Sequence, residues 1–405
     1  MKNLLRSLTA LALATSGVLI AIALPSVALP AGATVKKITC YRLDKNVVTT
    51  HKFNNVCAAG WSKKRPTPKP VADDSVEKPG TASLTETGST LLYPLWNVWA
   101  PVYQAEFPTV SLTTGGTGSG TGIADAASGT VNVGSSDAYL SPTQLTATPN
   151  LINIPLAISY QMIEYNIPGV TAHIKLNGTI ISQIYQGSIT NWNDPAIAAI
   201  NSGVTLPDLK IVALHRSDGS GDTFIFSQYL SDSDPTWASK YSYGTTISWP
   251  SITNELGENG NGGMVSGCAA TPGCIAYVGI SYLTSVLGDG QTYAQLENGL
   301  GQYELPTTAT AAAEAAGFTA KTPANGTISM IDGKVKGGYP IVNYEYAIVN
   351  KSQSSASLAT AVRSLLEWAI DPSYGQSQQY LSQVRFDALP VKIVTASYKQ
   401  IKSIQ

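Results

Sequence analysis

Four times between residues 84 and 224 the chain passes from an apolar, strand-like stretch through a turn of glycine and hydroxyl residues into a helical pattern. The turns are Gly88-Ser89-Thr90-Leu91, the run from Gly115 to Gly122, Gly134-Ser135-Ser136-Asp137-Ala138, and Arg216-Ser217-Asp218-Gly219-Ser220-Gly221-Asp222. Repeated strand–turn–helix passages predict an α/β fold that holds a ligand beyond the carboxyl ends of its strands. Each turn would aim backbone N–H groups and hydroxyls from a helix N-terminus, a ready-made site for an anion.

Each turn offers different chemistry. Thr90 supplies a hydroxyl and Leu91 a backbone N–H. The glycine run, which carries Ser119, lets bare backbone wrap an oxyanion. Neither G-x-G-x-x-G nor Gly-Lys-Ser/Thr spacing occurs in it, so the nucleotide-loop readings fail. Asp137 is an acid facing an anion. An ionised carboxylate only accepts hydrogen bonds, so it would accept the proton that phosphate keeps near neutral pH and reject sulfate, which has none. Arg216 gives planar, charge-assisted bonds to an oxyanion, with Asp218 fixing the guanidinium from behind. Ser220 and the N–H groups of Gly221 and Asp222 would open the following helix. Taken one at a time, the turns also fit a helix cap, a surface loop, a capping Asp and a solvated Arg–Asp pair.

Charge and export signals narrow the function class. Up to residue 80 the chain carries 12 Lys/Arg and 4 Asp/Glu; beyond it, 13 Lys/Arg face 22 Asp/Glu. An acidic body excludes nucleic acid as a partner, and any anion must be held by local groups. Lys2 and Arg6 precede an apolar run from Leu8 to Leu29, followed by small residues. Residues 1–33 therefore fit a cleaved export signal or an uncleaved anchor. Cys40, Cys57, Cys268 and Cys274 form two close pairs, read in an exported chain as the disulfides Cys40–Cys57 and Cys268–Cys274; the spacings do not fit a zinc ribbon. Residues 34–83 divide into a basic disulfide hairpin and a linker with Pro66, Pro68, Pro70 and Pro79. The compact body is expected to begin near Leu84.

Hydrolytic chemistry finds no support. His51, His173 and His215 are scattered, and neither H-E-x-x-H nor G-x-S-x-G occurs. The glycine-rich stretch from Gly257 to Gly263 lacks the acids of a calcium loop and reads as a turn into a helix.

In their order, Gly88-Ser-Thr, Gly116-Thr-Gly-Ser-Gly, Gly134-Ser-Ser-Asp-Ala-Tyr-Leu-Ser and Arg216-Ser-Asp-Gly-Ser-Gly resemble the phosphate-specific transport substrate-binding proteins, receptors of the phosphate ABC importer. The likeness runs from about Leu84 to Leu389, with framework matches at Tyr165-Asn-Ile-Pro-Gly and Tyr339-Pro-Ile. It implies a two-lobed periplasmic-binding-protein fold of type II with two strands crossing between lobes: residues 84–157 plus 340–405, and 158–339. It implies phosphate held by Thr90, Leu91, Ser119 and Asp137 from one lobe and by Arg216, Ser220, Gly221 and Asp222 from the other, with Ser89 and Asp218 supporting from behind. It further implies no catalysis, metal or cofactor, a monomer outside the cytoplasm, and the permease and ATPase subunits as partners. Two departures stand out. The family commonly has threonine where Asp222 stands, and Cys40 has no lipidation context, so retention near a membrane would fall to the basic stalk or to an uncleaved signal. Receptors for other oxyanions, a secreted phosphatase and a surface adhesin are the competing readings.

Overall fold

A computed structural model describes residues 37–44, 47–54, 56–58, 61–64 and 76–405. The expected signal or anchor and most of the proline-rich linker lie outside the described residues.

The N-terminal unit is a hairpin of β1 (Lys37–Asp44) and β2 (Val47–Asn54). Cys40 and Cys57 are disulfide-bonded, as the sequence suggested. An isolated two-stranded hairpin is marginal in water. Here the crosslink is supplemented by Trp61, whose ring meets Phe53 edge-on at 5.3 Å while Arg42 lies 5.1 Å from its centroid.

The body is built on β3 (Ala82–Gly88), β4 (Val110–Thr113), β5 (Val133–Ser136), β6 (Leu151–Tyr165), β7 (Lys175–Leu176), β8 (Val212–Arg216), β9 (Glu255–Glu258), β10 (Cys274–Gly279), β11 (Thr292–Tyr293), β12 (Gln295–Glu297), β13 (Tyr303–Glu304) and β14 (Val342–Asn350). Among the described residues, nine strands form one sheet in the order β4-β3-β5-β14-β6-β10-β8-β9, with β11 also on β6. β3 runs parallel to β4 and β5, and β8 runs parallel to β9 and β10. Antiparallel β14 and β6 lie between these two parallel blocks.

β6 belongs to both halves. Its first part pairs with β14 as far as Tyr160, and Gln161–Tyr165 pair with β10. All but one of its 15 residues are buried, including the polar side chains of Asn153, Ser159, Gln161 and Glu164. The β14 ladder skips Leu156, between Pro155 opposite Tyr346 and Ala157 opposite Glu345. Proline cannot donate to a ladder, so a bulge there costs no backbone bond that Pro155 could have made.

Aromatic clusters contribute to the core. Trp96, Trp99, Tyr103 and Trp368 meet edge-on at 5.3–6.4 Å. Around β10, Tyr277 stacks against Phe226 at 4.3 Å, and Trp249 stacks against Tyr277 at 6.0 Å. Burying one such ring stabilises by roughly 1.5–3 kcal/mol. The second disulfide, Cys268–Cys274, joins the end of helix Gly260–Ala270 to β10.

Helix starts follow the local chemistry. Ser141 and Asp194 cap helices Pro142–Ala147 and Pro195–Ile200, each with proline in the first turn. β5 starts at Val133, directly after Asn132, whose side chain accepts from the Thr85 N–H at 2.9 Å and whose N–H donates to the Thr85 carbonyl at 3.0 Å. One expectation shifts. The body begins before Leu84. Glu77 accepts two bonds from Arg363, at 2.6 and 2.9 Å, so the end of the linker is docked on helix Ala356–Ile370.

Candidate functional site

The carboxyl ends of β3, β5 and β8 each release the chain into one of the four turns or the helix behind it. After β3, Ser89 Oγ accepts from the N–H of Leu92 at 2.9 Å, tightening the entry to helix Tyr93–Glu106. Gly88 has φ 144° and its position leaves no room for a Cβ, which would fall 2.0 Å from the Ser135 carbonyl oxygen. Only glycine lets β3 and β5 approach this closely. The glycine run feeds helix Ser119–Ser128 directly, so Ser119 is its first residue. Ser220 caps helix Gly221–Ser233, its Oγ accepting from Thr223 N–H at 3.1 Å.

The four turns converge. Asp137 accepts from Ser89 Oγ and lies 3.4 Å from Ser119 Oγ, which in turn accepts from the Asp137 N–H at 3.2 Å. A Cβ added to Gly221 would fall 2.4 Å from both Asp137 Oδ2 and Ser119 Oγ. Gly120 N–H donates to the Gly219 carbonyl at 2.9 Å, stitching the second turn to the fourth. Thr90, Ser119, Asp137, Arg216, Ser220 and Asp222 are all buried, and the Leu91 carbonyl accepts from Ser281 at 2.8 Å.

Arg216 anchors the charge balance. Its Nε and Nη2 donate to the two oxygens of Asp218 at 2.6 and 2.5 Å, a fork-on-fork pair. Nη1 donates to Asp222 Oδ2 at 3.1 Å. Burial works against the guanidinium charge, but the bonds to Asp218 and the attraction of Asp222 outweigh it and hold the proton more firmly. Asp218 is correspondingly depressed: burial pushes it up, and Arg216 more than compensates. Asp222 is pushed up by burial despite Arg216, Gln161 and Asn261. Asp137 is raised well above the carboxylate range, first by burial and then by its acidic neighbours Glu345 and Asp222.

Three contributors escaped the sequence reading. Asn261 Nδ2 donates to Asp222 Oδ2 at 2.7 Å and to Thr90 Oγ1 at 2.9 Å, bridging the first and fourth turns. It sits at the start of helix Gly260–Ala270, inside the glycine stretch read as a turn into a helix. Gln161 Nε2, from the middle of β6, donates to the Asp222 carboxylate and carbonyl at 3.0 Å. Tyr277 from β10 accepts from Arg216 N–H at 2.9 Å and shares a 2.7 Å bond with Thr223. His215 stays outside, stacked on Trp249 at 4.8 Å. Among the described residues no cluster of His, Cys, Asp and Glu could hold a metal ion. No helix among them is long and apolar enough to cross a membrane.

The sequence pattern of the PBP superfamily domain matches residues 75–373. The phosphate-binding protein PstS of Xylella fastidiosa (strain Temecula1) is 30% identical over 330 residues, which cover 81% of this chain and 86% of that one. PstS of Methanocaldococcus jannaschii is 31% identical over 327 residues, covering 76% of this chain and 82% of its own. Among solved structures, a phosphate-binding protein from Stenotrophomonas maltophilia superposes with a TM-score of 0.62 at 20% identity, covering 78% of this chain and 93% of its own. The periplasmic phosphate-binding protein PfluDING, bound with phosphate, superposes with a TM-score of 0.60 at 22% identity, covering 77% and 92%. The structural likeness establishes the two-lobed fold.

Proposed function

The chain belongs to the PBP superfamily, among the PstS phosphate-binding receptors, and from that premise we propose that it closes two lobes around one phosphate ion outside the cytoplasm and delivers it to an ABC importer. The observation that carries the site is the convergence of Ser119, Asp137, Arg216, Ser220, Gly221 and Asp222 on one buried point.

The change of neighbours along β6 between Tyr160 and Gln161 supports lobes of 84–157 plus 340–405 and 158–339. Thr90, the Leu91 N–H, Ser119 and Asp137 would then bind from one lobe, and Arg216, Ser220, Gly221 and Asp222 from the other. The ion completes its bonds only when both lobes meet, so binding and closure are one event. Arg216 is the one cation among these groups; the remaining compensation comes from fixed N–H groups and hydroxyls. Each surplus bond to the ion adds roughly 1.5–3 kcal/mol, so a few suffice for micromolar affinity, about −8 kcal/mol.

Selectivity rests on Asp137. Phosphate brings a proton that this carboxylate accepts. Sulfate has the same shape and would set an unprotonated oxygen against a buried acid, at a cost of at least about 1–3 kcal/mol. The reading is of a receptor and not an enzyme, with permease and ATPase subunits as partners and the basic N-terminal segment keeping it near a membrane. Calorimetric titration with phosphate and sulfate tests it, alongside a chromogenic phosphate ester that should stay uncleaved. Equal affinity for both ions would overturn the selectivity, and heat from neither would overturn the site.

A further inference from the structure

Asn261 is wholly buried at the start of helix Gly260–Ala270, and its amide is fixed from one side. The Gly279 N–H, at the end of β10, donates to Asn261 Oδ1 at 2.8 Å. A backbone N–H cannot accept, so the atom it meets is the amide oxygen and Nδ2 faces the other way. There Nδ2 donates to Asp222 Oδ2 at 2.7 Å and to Thr90 Oγ1 at 2.9 Å. Both hydrogens of the amide and its oxygen are thus committed.

This orientation decides what Thr90 can do. A hydroxyl group has two lone pairs and one hydrogen. Asn261 approaches Thr90 Oγ1 twice, with Nδ2 at 2.9 Å and with its backbone N–H at 3.3 Å. With both lone pairs filled, the one bond left to Thr90 is the bond it donates.

Asp222 anchors the amide from the other side. Its Oδ2 accepts from Asn261 and from Arg216 Nη1 at 3.1 Å, and its Oδ1 accepts from Gln161 Nε2 at 3.0 Å. Gln161 cannot be turned round, since Nε2 also donates to the Asp222 carbonyl oxygen, which can only accept. Three N–H donors therefore hold a carboxyl group that is 1% exposed. An acid can stand beside an anion site here because its acceptor capacity is spent on the protein. The same helix start also braces Arg216: the Gly260 N–H donates at 3.1 Å to Asp218 Oδ1, which accepts from Arg216 Nε.

We propose that Asn261 positions the bound ion's partner Thr90: anchored by Asp222 and Gly279, it fills both lone pairs of the Thr90 hydroxyl and makes that group an obligate donor to the ion. The proposal rests on the reading of this cleft as a phosphate site. With lobes of 84–157 plus 340–405 and 158–339, Asn261, Asp222 and Gly279 stand on one lobe and Thr90 on the other. The amide then completes its bonds only when the lobes close, and closure itself turns Thr90 toward the ion. The packing agrees: a Cβ on Gly279 would fall 2.4 Å from Leu91 Cδ1 in the first turn.

Aspartate has the shape of asparagine, which isolates the chemistry. In Asn261→Asp one oxygen still accepts from Gly279, but the other stands where Nδ2 lay, 2.7 Å from Asp222 Oδ2 and 2.9 Å from Thr90 Oγ1. Thr90 would turn its hydrogen to that oxygen, and the ion would lose a donor and meet a lone pair. Phosphate calorimetry at pH 7 on wild type, Asn261→Asp, Asn261→Ala, Thr90→Val and the double variant Asn261→Ala/Thr90→Val tests the idea. Asn261→Ala should bind about tenfold or more weakly than wild type, and Asn261→Asp more weakly still. In the Thr90→Val background, where no hydroxyl is left to orient, the loss caused by Asn261→Ala should shrink by about threefold or more. A purely structural role would cost the same in both backgrounds. Wild-type affinity in Asn261→Asp, or equal Asn261→Ala losses with and without the Thr90 hydroxyl, overturns the proposal. If Asn261→Ala fails to fold, Asn261→Asp in the two Thr90 backgrounds makes the same comparison. A wild-type protein that binds no phosphate overturns the phosphate reading instead.

Discussion

Arg216 and Asp222 meet through a 3.1 Å bond between Nη1 and Oδ2, with both side chains only 1% exposed. A guanidinium so buried is worth its desolvation only if its remaining donors are used, and here Asp218 takes two of them. The cleft thus holds a cation whose orientation is fixed before any anion arrives.

Removing that cation should be the most damaging single change. Arg216→Ala deletes about two charge-assisted bonds to the ion, so phosphate affinity should fall about 100-fold or more. It also strands Asp218 and Asp222, so the melting temperature should fall. Calorimetry paired with thermal melting separates the two effects. A variant that binds as tightly as wild type places the site elsewhere.

Asp137→Asn should act on choice more than on strength. The amide can donate to a sulfate oxygen where the carboxylate cannot. The phosphate-to-sulfate preference should narrow by about tenfold or more, with a smaller loss of phosphate affinity. Competition titration with both ions measures the ratio. An unchanged preference contradicts the acceptor role.

Gly221→Ala is a steric test of closure. Gly221 opens helix Gly221–Ser233 in ordinary helical backbone, so alanine strains nothing locally. Its Cβ would nevertheless lie 2.4 Å from Asp137 Oδ2 and Ser119 Oγ. The melting temperature without ligand should hold while phosphate binding collapses. Retained affinity would mean that these loops do not meet when the ligand is bound.

What the sequence disclosed, and what it withheld, follows from how far each contact reaches. The turns around Thr90, Ser119, Asp137 and Arg216 were legible because capping and close backbone approach are local demands that glycine and hydroxyl residues answer within a few positions. Gln161 was not, because it lies in the middle of a long, almost wholly buried strand and is flanked there by core residues. Asn261 was hidden in a glycine-rich stretch whose only local message is a turn. The place of Glu345 beside Asp137 depended on the register of β14 against β5, which is settled by tertiary packing. The docking of Glu77 on Arg363, 286 residues away, is equally non-local.

Stability should carry a pH signature from Glu86. This carboxyl is 3% exposed, and burial pushes it up to about 8, with bonds from Ser135 and Gly115 opposing. Its folded value lies above the unfolded one, so its favourable contribution is complete below the unfolded value and is lost as pH rises through about 8. Glu86→Gln removes this loss. It should melt higher than wild type at pH 9, by an amount on the order of a few kcal/mol at most, and close to wild type at pH 4. No gain at pH 9 relative to pH 4 contradicts the assignment.

The central claim is that one dehydrated pocket selects phosphate by its charge and its proton. Thermal melting of the wild-type protein in phosphate and in sulfate, each titrated to millimolar concentration at neutral pH, tests it most directly. Phosphate at about 100 times its dissociation constant should add roughly 2.7 kcal/mol of stability, with sulfate giving little or none at the same concentration. Equal shifts from the two ions, or no shift from phosphate, would contradict it.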